Sequence, residues 1–255
     1  MQDHIAKLPA AAGKTNTYAI VIGISDYAEL PKVTFADRSA NSFAELVRRQ
    51  YGVTPDHMVT LINEEATGVR LMARLRSMSA RLTKNDRLIF YYAGHGAPSA
   101  DGKNTLLVPQ DASVNGLDDA PFRLQEIYKT LAKSEAAQIV VVLDTCFSGR
   151  TDNNELIYRD VAPIMVVPTE GILPPSNRRL TVLAAGGPAD FANALRARGH
   201  RMFSYHLLRV MLKEGGIFSA NFAAVSEAVA RDASVLGFAY KQEPIWMGSM
   251  SSFSP

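Results

Sequence analysis

The stretch Gln138–Gly149 reads QIVVVLDTCFSG. Its aliphatic run, Ile139–Leu143, suits a strand buried on both faces, and the polar, glycine-closed TCFSG ends it. A strand of that kind belongs to a mainly parallel sheet covered by helices on each side.

Working outward, the same texture recurs. Tyr18–Ile24 (YAIVIGI), Met58–Ile62, Arg87–Tyr92 (RLIFYY) and Leu180–Ala185 (LTVLAA) read as strands, with a short apolar piece at Thr105–Val108 and a last strand around Pro244–Met247. Between them lie helical patterns. Asp37–Arg49 carries Ala40, Phe43, Ala44 and Val47 at helical spacing; Thr67–Leu82 has Thr67 as N-cap and Leu71, Leu75, Met78 and Leu82 on one face. Leu124–Leu131, Phe203–Leu212 and Phe222–Val235 complete the set. Strand–helix alternation predicts an α/β fold with a sheet of about six strands. Residues 150–179 break the pattern with Pro163, Pro168, Pro174 and Pro175 and read as one long loop inside a single domain over 18–248, with tails at 1–17 and 249–255.

Composition narrows the function. Lys+Arg 27 against Asp+Glu 25 leaves a formal charge of +2, too little to mark a nucleic-acid or membrane-surface protein by bulk charge. One cysteine excludes an intrachain disulfide and any multi-cysteine metal site. The apolar runs are strand-sized, and Met1–Asn16 has no apolar core of signal-peptide type, so a reducing cytoplasm is the expected compartment. Phosphate-binding glycine loops and the Gly-x-Ser-x-Gly elbow are absent.

Two strand ends carry chemistry. Tyr91-Tyr92-Ala93-Gly94-His95-Gly96 sets a histidine just past the third strand, and Asp144-Thr145-Cys146-Phe147-Ser148-Gly149 sets the only cysteine just past the fourth. In an open parallel sheet, catalysis collects at the carboxyl ends of strands. A free thiol, with a pKa of about 8.5, is mostly protonated at neutral pH. A neighbouring imidazole takes that proton and later gives it to a leaving amine. The backbone N–H groups of Gly96 and Cys146 are candidates for an oxyanion site. His95 alone also reads as a structural turn histidine, and Cys146 alone as an inert buried residue. Their interval of 51 residues matches the roughly 50 between histidine and cysteine in the caspase signature.

YAIVIGI, FYYAGHG, VVVLDTCFSG and GHRMFSYHLLRVML, in this order, resemble a caspase-fold cysteine peptidase, nearer the metacaspase-like and bacterial branches than animal caspases. A CHAT-type protease of the same wider clan is an alternative. The animal pentapeptide Gln-Ala-Cys-x-Gly is absent. The resemblance implies a three-layer caspase-like sandwich with His95 as general acid/base and Cys146 as nucleophile. It further implies that Asp37 and Asp144 line a pocket selecting Arg or Lys before the scissile bond. Two buried carboxylates lacking a counter-cation cost several kcal/mol, so such a pocket is incomplete until a basic side chain arrives. Asp37 also reads as a helix N-cap, and Asp144 as an acceptor for loop amides. In this frame Arg150, Arg159, Arg178 and Arg179 are candidate self-cleavage positions, although arginines are commonplace in loops.

Calcium dependence is a metacaspase trait, and Asp101, Asp111, Asp118 and Asp119 lie between the two motifs. No EF-hand spacing appears among them, and no metal or cofactor is assigned. The expected partners are proteins with basic cleavage sites and regulatory proteins, without nucleic acid or membrane. Arg196, Arg198, Arg201, Arg209 and Lys213, in a stretch without an acid, read as a solvated helix face or a basic patch. The rival to an active endopeptidase is a catalytically silent scaffold of the same fold.

Overall fold

The computed structural model describes residues 1–9, 11, 15–99, 103–113, 122–151, 157, 177–187, 190–237 and 240–255. Five parallel strands form most of one sheet: β1 (Thr17–Gly23), β2 (Met58–Ile62), β3 (Arg87–Ala93), β6 (Gln138–Asp144) and β7 (Leu180–Ala184). With β11 (Ile245–Met247), antiparallel to β7, the order is β11-β7-β6-β3-β1-β2. The expected six-stranded, mainly parallel α/β sheet is therefore present.

Continuous apolar strands follow from burial on both faces. Val21, Tyr91, Val140 and Val142 point into one core with α2 (Ala36–Gln50), α5 (Met202–Glu214) and α6 (Ser219–Ser234). Ile22, Phe90, Tyr92, Val141 and Leu143 point into the other with α3 (Gly68–Arg81) and α4 (Leu124–Ala132). Successive strand residues alternate between faces, so each face needs its own apolar set. A fully buried Val or Ile side chain stabilises by about 1.5–3 kcal/mol relative to exposure.

Local chemistry fixes the helix ends. Thr67 caps α3 as its composition predicts, accepting the Arg70 N–H, and Asp111 accepts the Gly68 N–H at 2.8 Å. The Arg179 guanidinium donates to the carbonyls of Ala132, Ser134 and Ala136 at the end of α4, where cations favour the helix dipole.

Each chain end contributes a buried residue to the core. In α1 (Gln2–Ala6) Ile5 is fully buried in the α2-side core. Phe253, in β12 (Ser252–Phe253), is fully buried under the Arg87 guanidinium, and Tyr51 donates to its carbonyl at 2.7 Å. β12 pairs with β10 (Ile217–Phe218). A few apolar residues, Ile5 with Leu8 and Phe253 with Met250, are too short a series to create a period, so sequence reading passes over them. Among the described residues no helix is long and apolar enough to cross a membrane.

Candidate active site

Parallel register brings the two chemical motifs together. Ala93 pairs with Asp144 at the carboxyl ends of β3 and β6, so His95 and Cys146 each lie two residues beyond a matched pair. Neighbouring strands run about 4.8 Å apart. His95 and Cys146, 4% and 8% exposed, line one cavity with Val33, Arg150, Ala192 and Arg201. Its volume is about 10 Å3, room for about one water.

The glycines around His95 are needed for close approach. A Cβ on Gly96 would lie 2.7 Å from the Cys146 carbonyl and 2.7 Å from Thr145 Oγ1, so the two motif loops touch here. A Cβ on Gly94 would lie 2.6 Å from the Tyr27 hydroxyl and 2.8 Å from that of Tyr92. Gly96 opens β4 (Gly96–Pro98), which pairs with β5 (Thr105–Leu107). Because the Val108 N–H donates to the His95 carbonyl at 3.0 Å, Gly96 holds a non-hydrogen-bonded ladder position and its own N–H turns away from β5.

Two tyrosines that sequence reading left unassigned hold the histidine turn. The His95 N–H donates to Tyr27 Oη at 2.7 Å, and Tyr92 Oη donates to the His95 carbonyl at 2.6 Å. Burial pushes both phenols far above their ordinary range, so they stay neutral donors. The imidazole is oriented as well. Nε2 lies 2.7 Å from the Pro31 carbonyl, which can only accept, so Nε2 carries the proton. In the neutral ring the lone pair is then on Nδ1. Cys146 Sγ lies 2.6 Å from Ser148 Oγ and donates to the Asp190 carbonyl at 3.3 Å.

The acids divide. Asp144 is fully buried; Ser204 donates to its Oδ2 from both N–H (2.9 Å) and Oγ (2.6 Å), and Tyr91 Oη sits 2.6 Å from Ser204 Oγ. Arg201, in β9 (His200–Arg201), places Nε 3.7 Å from Asp144 Oδ1. Its guanidinium also donates to the carbonyls of Thr34 and Ala192. The chain thus supplies its own counter-cation to Asp144, where a basic ligand was expected to be required. Asp37 is half-buried in the first turn of α2, with Oδ1 accepting from Ser25 Oγ and the Arg38 N–H, both at 2.7 Å. The N-cap there is Phe35, not Asp37.

Arg150 lies at the cavity, Arg178 is exposed, and Arg179 is held against α4. Arg159, with Asp101, Asp118 and Asp119, lies outside the described residues. Asp111 is engaged as the α3 cap, and among the described residues no three His, Cys, Asp or Glu side chains converge as metal ligands.

Comparison with known proteins bears on the family and the fold. A family model described as the caspase domain matches residues 16–253. Metacaspase-1 of Ajellomyces capsulatus is 22% identical over 205 residues, covering 71% of this chain and 53% of the relative. Metacaspase-1 of Saccharomyces cerevisiae is 24% identical over 146 residues, covering 51% of this chain and 33% of the relative. The chain thus spans a third to about half the length of these curated relatives. Caspase-1 from Spodoptera frugiperda superposes with a TM-score of 0.65 at 13% identity, covering 95% of this chain and 92% of that one. A protein from Geobacter sulfurreducens does so with a TM-score of 0.65 at 15% identity, covering 94% and 97%. Sheet order, the paired strand ends and a match over nearly the whole chain lead to one conclusion: the chain belongs to the caspase domain family.

Proposed function

We propose that the chain is a cysteine endopeptidase that uses His95 and Cys146 as a dyad and cleaves proteins after Arg or Lys. The observation that carries this reading is the shared cavity at the ends of β3 and β6, with His95 Nε2 anchored on the Pro31 carbonyl.

In the proposed mechanism Nδ1 of His95 takes the Cys146 proton as the sulfur attacks the scissile carbonyl carbon. The carbonyl oxygen becomes an oxyanion that accepts from the N–H groups of Gly96 and Cys146. Collapse breaks the C–N bond, and the imidazolium gives its proton to the departing amine. A water then repeats the sequence on the thioester, releasing the acid and restoring the thiol. The Pro31 carbonyl acts throughout by holding the ring, as a carboxylate does in Ser-His-Asp triads.

Specificity rests on Asp37 and Asp144, on the cysteine side of the sheet. Arg201 occupies Asp144 at rest, in the manner of a bound basic side chain, so an arriving Arg or Lys shares or displaces it. A second reading has its own observation. The Arg201 side chain lines the cavity beside Cys146, where a guanidinium suits an acidic residue before the scissile bond. Fluorogenic peptides ending in Arg, Lys or Asp decide between them: turnover after Arg or Lys supports the first reading, and preference for Asp overturns it. Absence of turnover, together with no labelling of Cys146 by an Arg-directed electrophile, would favour a silent scaffold.

Self-processing after Arg150, Arg159 or Arg178 belongs to the same proposal. Arg179 is less suited, because its carbonyl accepts the Ile139 N–H at 2.7 Å where β7 begins. Protein substrates with basic sites, regulatory protein partners and a reducing compartment such as the cytoplasm complete the reading.

A further inference from the structure

The basic stretch around Arg196–Arg209 is not absorbed by the peptidase reading, and it borders a cavity of its own. This cavity, of about 790 Å3, opens between β8 (Ala194–Leu195), the turn at Arg196–Arg198, α5 and the end of α6. That volume lies within the range of small-molecule sites, about 300–1,000 Å3. Four guanidinium-bearing residues line it: Arg196, Arg198, Arg209 and Arg231, all exposed.

Their counter-charge is scarce. Among the described residues the single carboxylate on the lining, Asp232, accepts from His206 Nε2 at 2.8 Å and sits 3.6 Å from the Nε of adjacent Arg231. Among the described residues, Arg196, Arg198 and Arg209 face no carboxylate at ion-pair distance. Arg198 and Arg209 are instead positioned by Tyr205, each guanidinium carbon lying 5.9 Å from its ring centroid. Like charges sharing one cavity wall repel, and an anion among them relieves that repulsion.

Part of the rim, beside Arg231 and Asp232, is apolar. Val235 and Leu236, 83% and 46% exposed, are two of the three exposed large hydrophobic residues among the described ones, and both border this cavity. Exposed apolar surface beside several cationic residues suits a ligand with a charged head and an apolar or aromatic body. Guanidinium forks match phosphate oxygens in particular.

We propose that this cavity is a binding site for a phosphorylated small molecule of nucleotide size, its phosphates on Arg196, Arg198 and Arg209 and its body against Val235 and Leu236. The site is separate from His95 and Cys146, and the inference stands whether or not the chain cleaves peptides.

The test is a titration of the full chain with the fluorescent nucleotide trinitrophenyl-ATP at low salt, followed by competition with ATP, adenosine, inorganic phosphate and a single-stranded RNA. Saturable binding is expected, displaced by ATP but not by adenosine, with a Kd of about 10–100 μM that weakens as salt is raised. Arg198→Gln/Arg209→Gln should bind at least about tenfold more weakly, a loss of one contact-sized increment per site or more. These positions are exposed, and an unchanged thermal transition shows that the variant folds. No saturable binding up to about 1 mM, equal binding by the double variant, or displacement by RNA but not by ATP would overturn the proposal.

Discussion

Arg201 and Asp144 form a buried ion pair, Nε to Oδ1 3.7 Å, with side chains 2% and 0% exposed, on the edge that carries Cys146. Removing either partner alone leaves a charge without its counter-ion, which costs about 3–5 kcal/mol. Replacing both with neutral side chains of similar shape costs far less. Denaturant unfolding of Arg201→Met, Asp144→Asn and the double variant is expected to show two destabilised single variants and recovery of most of the loss in the double. Additive losses would show that the pair is not coupled.

The same pair separates the two specificity readings kinetically. If Arg201 stands in for a basic substrate side chain, Arg201→Met lowers KM for Arg-terminated peptides in those molecules that fold. If Arg201 reads an acidic side chain, the variant loses turnover of Asp-terminated peptides instead. Steady-state kinetics on both peptides distinguish these outcomes.

Cys146→Ala is expected to reduce kcat/KM by at least about a thousandfold, and His95→Gln by a comparable factor, with little additional loss in the double variant because the two act as a unit. Unfolding midpoints near that of the parent chain confirm that chemistry rather than folding has been removed.

Gly96→Ala tests the contact between the two motif loops. Its Cβ would meet backbone and a hydroxyl at 2.7 Å, so the loops must part by several tenths of an ångström. A stability loss of about 1–3 kcal/mol is expected. The fall in kcat should be larger than that in substrate affinity, since the oxyanion donors move while the specificity acids stay. A variant with parental kcat would contradict the assignment of Gly96.

Two buried histidines give a pH signature. Burial lowers the pKa of His200 and His206 below the ordinary 6.5, although their hydrogen bonds, to the Arg198 carbonyl and to Asp232 respectively, oppose the shift. The unfolded chain therefore takes up protons first as pH falls. The stabilisation from neutral histidine is complete above pH about 6.5 and is lost as pH drops through the lower folded value. Denaturation curves from pH 7.5 to 5 should show falling stability, with a shallower dependence in His200→Gln. Equal slopes would remove His200 from the account.

What the sequence made legible was local. The aliphatic runs of β1, β3 and β6 announce themselves, the threonine before α3 marks its start, and the glycines flanking His95 mark a turn that must pass close to something. What stayed hidden is held across long separations. Nothing in the residues near Arg201 says that it lies against Asp144, because β9 is two residues long and has no periodicity. Nor does the sequence show that Pro31 offers its carbonyl to His95, since any residue has a carbonyl. Tyr27 is hidden for a related reason: its role depends on a hydroxyl reaching the backbone of a distant turn.

The near-absence of space beside Cys146 has a kinetic meaning. A sulfur 8% exposed beside a cavity of about 10 Å3 meets a peptide carbonyl only after the described residues around it shift. Inactivation by a substrate-sized electrophile should then level off at high reagent concentration, at a ceiling equal to the opening rate, while a reagent as small as iodoacetamide keeps a steeper dependence. Any agent that props the chamber ajar would raise that ceiling without touching the sulfur.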